Sequence, residues 1–271
     1  MKNTLRRNSF TTRTEEPPEQ NAQASPFDVW LEYFEANPRR QLSLESAWDH
    51  DAAVTMNASQ RRALGKSFQR FELGEGGEGD RLLSKARQAG DPIYTRALEL
   101  LVVEEQKHSA LFALGLRRMR VPLLHAHWSD AAFTRLRRAL GLRTELALFL
   151  IAEATAMEYF EALAEGAPDA ILCGIGERIS TDEREHLRFQ TDRLRLGFAD
   201  TPRPMRICVG LLWRTVALGA ATVLCIDHAG ALKACGRSPR EYWVRAVSRF
   251  GDCATSALNG RRTVDGPSVS C

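Results

Sequence analysis

Between residues 59 and 198, apolar positions recur every three to four residues with polar positions between them. That is the period of an amphipathic helix, and it persists far longer than an average globular helix. Ser59 can cap a first helix over about 60–89, which stops at Gly90. Asp91-Pro92 opens a second, to about 118, and Val121-Pro122 falls in a connection over 119–129. A third helix runs over about 130–165 to Gly166, and Pro168 opens a fourth to about 197. With no strand pattern between them, these four predict an all-α protein, an antiparallel four-helix bundle over 59–198.

The flanks predict smaller additions. Residues 1–24 are polar and read as a disordered arm. Ser25-Pro26 starts a short helix with Phe27, Trp30, Leu31 and Phe34, expected to lie across the outside of the bundle, and 38–56 shows no clear period. The extension therefore covers 25–58. Two further helices, about 204–232 and 238–258, pack on the bundle within 199–260, and 261–271 reads as a frayed, disordered tail.

Two Glu-x-x-His units stand on these helices, Glu105–His108 and Glu183–His186. Residues three apart share a helix face, so each unit can present a carboxylate and an imidazole to one metal ion. Each lies in an apolar stripe: Leu98, Leu101, Glu105, His108, Phe112 in one case, and Ile175, Ile179, Glu183, His186, Leu194 in the other. A charge in such a stripe is costly unless it is paired or bound to metal. Glu75 stands 30 residues before Glu105, and Glu153 stands 30 before Glu183. One 78-residue offset relates Glu75 to Glu153, Glu105 to Glu183, and His108 to His186. The chain thus reads as two helix hairpins, each supplying Glu and then Glu-x-x-His to a two-metal site with near two-fold symmetry. Glu72 and Glu78, one turn from Glu75, are alternatives to it, and Glu158 and Glu161 are rivals of Glu153 that break the offset.

At Leu73–Gly79, Glu104–His108, Ala152-Glu153 with Tyr159-Phe160, and Asp182–Phe189, the chain resembles the ferritin-like superfamily of di-iron carboxylate proteins, within it a bacterial group of ferritin-like domain proteins. The resemblance covers roughly 60–198. It implies the bundle and the six metal ligands Glu75, Glu105, His108, Glu153, Glu183 and His186, holding two iron ions, with Mn/Fe as the other pairing. It does not imply one reaction. Some relatives carry a further histidine where this chain has Gln190.

The first functional expectation is an oxidoreductase that activates O2 or peroxide to oxidise a small organic substrate. Glu105 and Glu183 act at the metals, and Tyr159 is either a radical or outer residue of the site or a packed core tyrosine. Alternatives are an iron-binding or storage protein and a metal-free helical scaffold. Glycines 74, 76, 77 and 79 mark either a close approach beside Glu75 and a gap leading to the metals, or a local helix break. Asp182 can orient a histidine, whereas Glu104 and Glu185 read as solvated. His50, His125 and His127 fall in loops, and His228 is a weak second-site candidate.

Composition narrows the partners. A net charge of +3 without a basic tract excludes nucleic acid as the expected partner. Six cysteines without a CxxC pair exclude a rubredoxin-like iron centre, so electrons come from an external donor. Free thiols and no apolar leader place the chain in the cytoplasm. The apolar run 207–226 is long enough for a membrane but carries Arg214, and is read as a helix covering the bundle, with membrane attachment or a dimer interface as alternatives.

Overall fold

The computed structural model describes residues 25–77, 79–126 and 141–268. The expected arm 1–24, Glu78, His127, the start of the third long helix and residues 269–271 lie outside them. The described residues are all-α, with no strand. The helices are α1 (Asp28–Glu45), α2 (Ala58–Glu75), α3 (Asp80–Gln88), α4 (Pro92–Met119), α5 (Leu142–Gly166), α6 (Ala170–Phe198), α7 (Arg203–Asp227), α8 (Ala229–Ala234) and α9 (Pro239–Ala257).

Local chemistry sets most boundaries. The Asp91 carboxylate accepts the Tyr94 N–H ahead of Pro92, and Asp169 accepts from Ile171 and Leu172, so both long inner helices begin on an acidic cap. The cap of α2 is Asn57 rather than Ser59, because Asn57 and Gln60 close a reciprocal capping box. The helix expected over 60–89 is broken. Gly76 and Gly77 end α2, and Gly79 takes a left-handed φ of 68° before α3 begins. A side chain at Gly79 would also meet Val102 on α4 at 2.8 Å, so glycine is needed there twice over. The segment expected over 204–232 divides at His228 into α7 and α8.

Helices α5 and α6 form a hairpin, α2 packs on α4, and α4 on α6. At Gly176 a Cβ would lie 2.4 Å from the backbone of Ala164, so the hairpin arms touch almost backbone to backbone. The core has two apolar ends. One gathers Leu98, Leu101, Leu146, Leu150 and Phe189; the other gathers Phe68, Phe112, Phe160, Ile175 and Ile179. Polar side chains of α4 and α6 separate the two.

Helix α1 lies across α4 and α6 with one face buried, and it is longer than the short segment expected there. Phe27, Trp30, Tyr33 and Phe34 are all at most 2% exposed, and α1 continues through Pro38 to Glu45 against α4 and α6. Trp30 stacks among Phe34, Tyr33 and Phe189, and its indole N–H donates to Asp192 at 2.9 Å. The tail is not frayed as far as Ser268. Asp192 accepts the N–H groups of Asp265 and Gly266, and Glu185 accepts from Ser268, so residues 263–268 are strapped along α6. Glu185 is therefore buried rather than solvated.

Trp30→Ala removes the largest buried side chain of α1 and orphans Asp192. It is expected to lower unfolding free energy by about 3–5 kcal/mol in chemical denaturation. A loss under about 1 kcal/mol would mean that α1 is only loosely attached.

Candidate metal centre

Four side chains converge in the polar layer: Glu105 and His108 of α4, and Glu183 and His186 of α6. One potential ligand atom from each lies within 4.8 Å of all the others. His108, Glu183 and His186 are fully buried. His186 Nδ1 is 2.8 Å from Glu105 Oε1, and His108 Nδ1 is 3.3 Å from Glu183 Oε1. Each histidine thus faces the carboxylate of the opposite helix. The imidazole centroids are 5.5 Å apart.

The outer ring nitrogens explain this orientation. His108 Nε2 donates to Asp182 Oδ2 at 3.0 Å, and His186 Nε2 donates to Glu104 Oε2 at 2.9 Å. A donating Nε2 leaves the Nδ1 lone pair of the neutral ring aimed inward, the arrangement of a metal-bound histidine. Glu104 and Asp182 each stand one residue before their helix's Glu-x-x-His unit, so the 78-residue offset extends to them. Glu104 is 2% exposed and its expected solvated role is overturned.

Helix α1 closes the layer from behind. The Asn37 amide donates to Glu104 Oε1 at 2.6 Å and to Asp182 Oδ1 at 3.0 Å. Gln41 donates to the same two carboxylates, at 2.9 and 3.2 Å. Lys107 donates to Gln41 Oε1, and the buried Arg178 guanidinium joins Asp182 to Glu45. Two amides therefore tie together the two carboxylates that hold the two histidines.

Glu75 and Glu153 line a cavity of about 500 Å³ that reaches Glu105. Its walls include Leu98, Leu101 and Phe149, and the glycine break between α2 and α3 forms one side. The glycines thus supply both the helix break and the gap beside Glu75. Glu75 and Glu105 share this cavity, and a charge on Glu105 raises the electrostatic cost of a charge on Glu75. Glu72 is absent from the cavity walls, and its carbonyl accepts from Ser109. Glu153 accepts from Gln190 Nε2 at 2.6 Å through both oxygens, whereas its rivals Glu158 and Glu161 are bound by Arg249. Tyr159 packs with Phe71, Phe160 and His228 in the apolar end near α8, away from the four convergent residues. His228 is buried against Phe71 with Nδ1 2.5 Å from Ser67 Oγ. His50 and His125 are exposed, and the five described cysteines are free.

The charges need compensation. Burial and neighbouring carboxylates push the Glu75, Glu153 and Glu183 carboxyls above their usual range. Burial would raise Glu105 as well, but the nearby His186 outweighs it and holds Glu105 low. Burial opposes protonation of His108, yet the neighbouring Asp182 and Glu183 carboxylates favour the charged ring and push it up to about 9; His186 rises through Glu104 and Glu105. Glu105 Oε1, both oxygens of Glu183, and Nδ1 of both histidines are buried without a well-aligned hydrogen bond. Native proteins seldom leave such atoms orphaned, and here five point into one space. The buried His/Glu cluster could hold a metal ion, and a cation there would satisfy all five at once. No protein family matches the chain, and no curated protein or solved structure is significantly similar to it.

In the metal-free protein, each group with a raised pKa stabilises the fold fully below its unfolded value and loses that contribution as pH rises through its folded value. For His108 the window runs from about 6.5 to about 9. The denaturation midpoint of metal-free protein is therefore expected to fall from pH 6.5 to pH 9. A midpoint that rises over that interval would contradict these electrostatics.

Proposed function

We propose that residues 59–198 form a ferritin-like four-helix bundle with a two-metal carboxylate centre, and that the chain is an oxidoreductase acting on a small organic molecule. The observation that carries the reading is the convergence of five orphaned ligand atoms on one buried space, backed by histidines fixed through Nε2. The proposed ligands are Glu105, His108, Glu183 and His186, with Glu75 and Glu153 completing the set from the cavity side. Iron is the favoured metal because mixed carboxylate and imidazole ligands suit it. Bound there, an iron pair would supply the redox equivalents for activating O2 or peroxide.

The protein's part is positioning. Glu104 and Asp182 hold the imidazoles, while Asn37 and Gln41 hold those carboxylates. Gln190 holds Glu153 at the cavity edge. Leu98, Leu101 and Phe149 give the cavity one apolar wall beside the centre. This cavity favours an enzyme over an iron-storage protein, which needs no substrate space. An external reductase would supply electrons.

Anaerobically purified protein is expected to bind about two metal ions per chain, and Glu105→Ala and Glu183→Ala to abolish this. Fewer than about one ion per two chains would remove the reading. Fe(II)-loaded protein should take up oxygen on mixing, whereas retained iron without oxygen uptake would leave a metal-binding protein and not an oxidase. The double variant Asn37→Ala/Gln41→Ala is expected to weaken metal affinity about 10–100-fold in competition titrations with a chelating dye. Unchanged affinity would show that α1 does not support the centre.

A further inference from the structure

Helix α7 is the one helix among the described residues long and apolar enough to cross a membrane. It packs against α5 and α9 through one narrow stripe: Gly210, Trp213, Ala217 and Ala221. The opposite face is open. Leu211, Leu212 and Ile226 there are 62–71% exposed, and Met205, Ile207, Val216, Leu218 and Val223 extend the patch. Together these side chains expose on the order of 700 Å², more than the 300–600 Å² patch of a typical monomer and close to the roughly 800 Å² per partner of a stable interface.

The order of residues on this face indicates what covers it. Cys208, Leu212, Thr215, Gly219, Thr222 and Ile226 are all exposed and follow one another at spacings of 4, 3, 4, 3 and 4. These residues form one continuous stripe of the helix, which can serve as the seam of two packed helices. The seam is also complementary to its own reverse. With a two-fold axis at the level of Ala217, Ile226 meets Cys208, Leu212 meets Thr222, and Thr215 meets Gly219, so a large residue always faces a smaller one. On the flanks, Leu211 and Leu218 line one side of the seam and Val216 and Val223 the other.

We propose that α7 pairs antiparallel with α7 of a second copy of this chain, in an isologous dimer across Ala217. A lipid surface is the weaker occupant. Arg214, bonded to Gly210 O and Thr255 Oγ1, flanks the patch midway along the helix, and a bilayer gives no reason for a reversible 4-3 seam. Spanning the membrane would further require tearing Trp213, Ala217 and Ala221 out of the core. The pairing stands apart from the metal reading, since none of these residues touches the centre.

Analytical ultracentrifugation of the full chain at micromolar concentration is expected to give a dimer. Leu212→Lys/Ile226→Lys should give a monomer of unchanged helicity by circular dichroism. Ile226→Cys should form a disulfide-linked dimer under diamide, through Cys208 of the second copy, and adding Cys208→Ala should abolish it. A monomeric wild-type chain overturns the proposal, whether or not it binds vesicles containing anionic phospholipid. A cross-link that survives Cys208→Ala overturns the antiparallel arrangement.

Discussion

Two hydrogen bonds organise this protein: His108 Nε2 to Asp182, and His186 Nε2 to Glu104. They turn both rings so that Nδ1 faces the middle of the molecule. They also oblige the fold to bury two more carboxylates beside Glu105 and Glu183. Buried carboxylates need donors, and here Asn37 and Gln41 supply them from α1, with Arg178 neutralising Asp182. The polar layer that results divides the core into two apolar ends. Inside the layer, the inward-facing atoms could hold a metal ion.

The centre was legible where chemistry is written in spacing. The paired Glu-x-x-His units and the 78-residue offset pointed to the four residues that meet in the structure, and to Glu75 and Glu153 at the cavity. The same offset extends to Glu104 and Asp182, but charge alone reads a glutamate at that helical position as solvated. It is buried because α1 covers it, and the second half of α1 was hard to foresee. Asn37 and Gln41 add no apolar period, and Pro38 between them reads as a helix stop. Pro38 is instead tolerated within α1, whose buried aromatic face supplies the packing that propensity lacks.

Other departures share one cause, the dependence of local structure on distant contacts. The glycines after Glu75 could mark either a break or a gap, and the structure combines the two. The last residues looked frayed because their own sequence carries no period, yet their backbone N–H groups find Asp192 and Glu185 on α6. Helix α7 is the converse case. Its sequence is apolar around most of its circumference, but the described residues cover only one side, which leaves an uncommonly large apolar face.

On the proposed reading, the space between His108 and His186 would take two cations approached through Nδ1. Anomalous diffraction at the metal absorption edge, from crystals loaded with Fe(II) under anaerobic conditions, tests it directly. The account predicts two anomalous peaks in the polar layer, each beside one histidine Nδ1, with Nε2 still bonded to Asp182 or Glu104. Peaks only at surface carboxylates, or metal bound through Nε2 with those two hydrogen bonds broken, would contradict it.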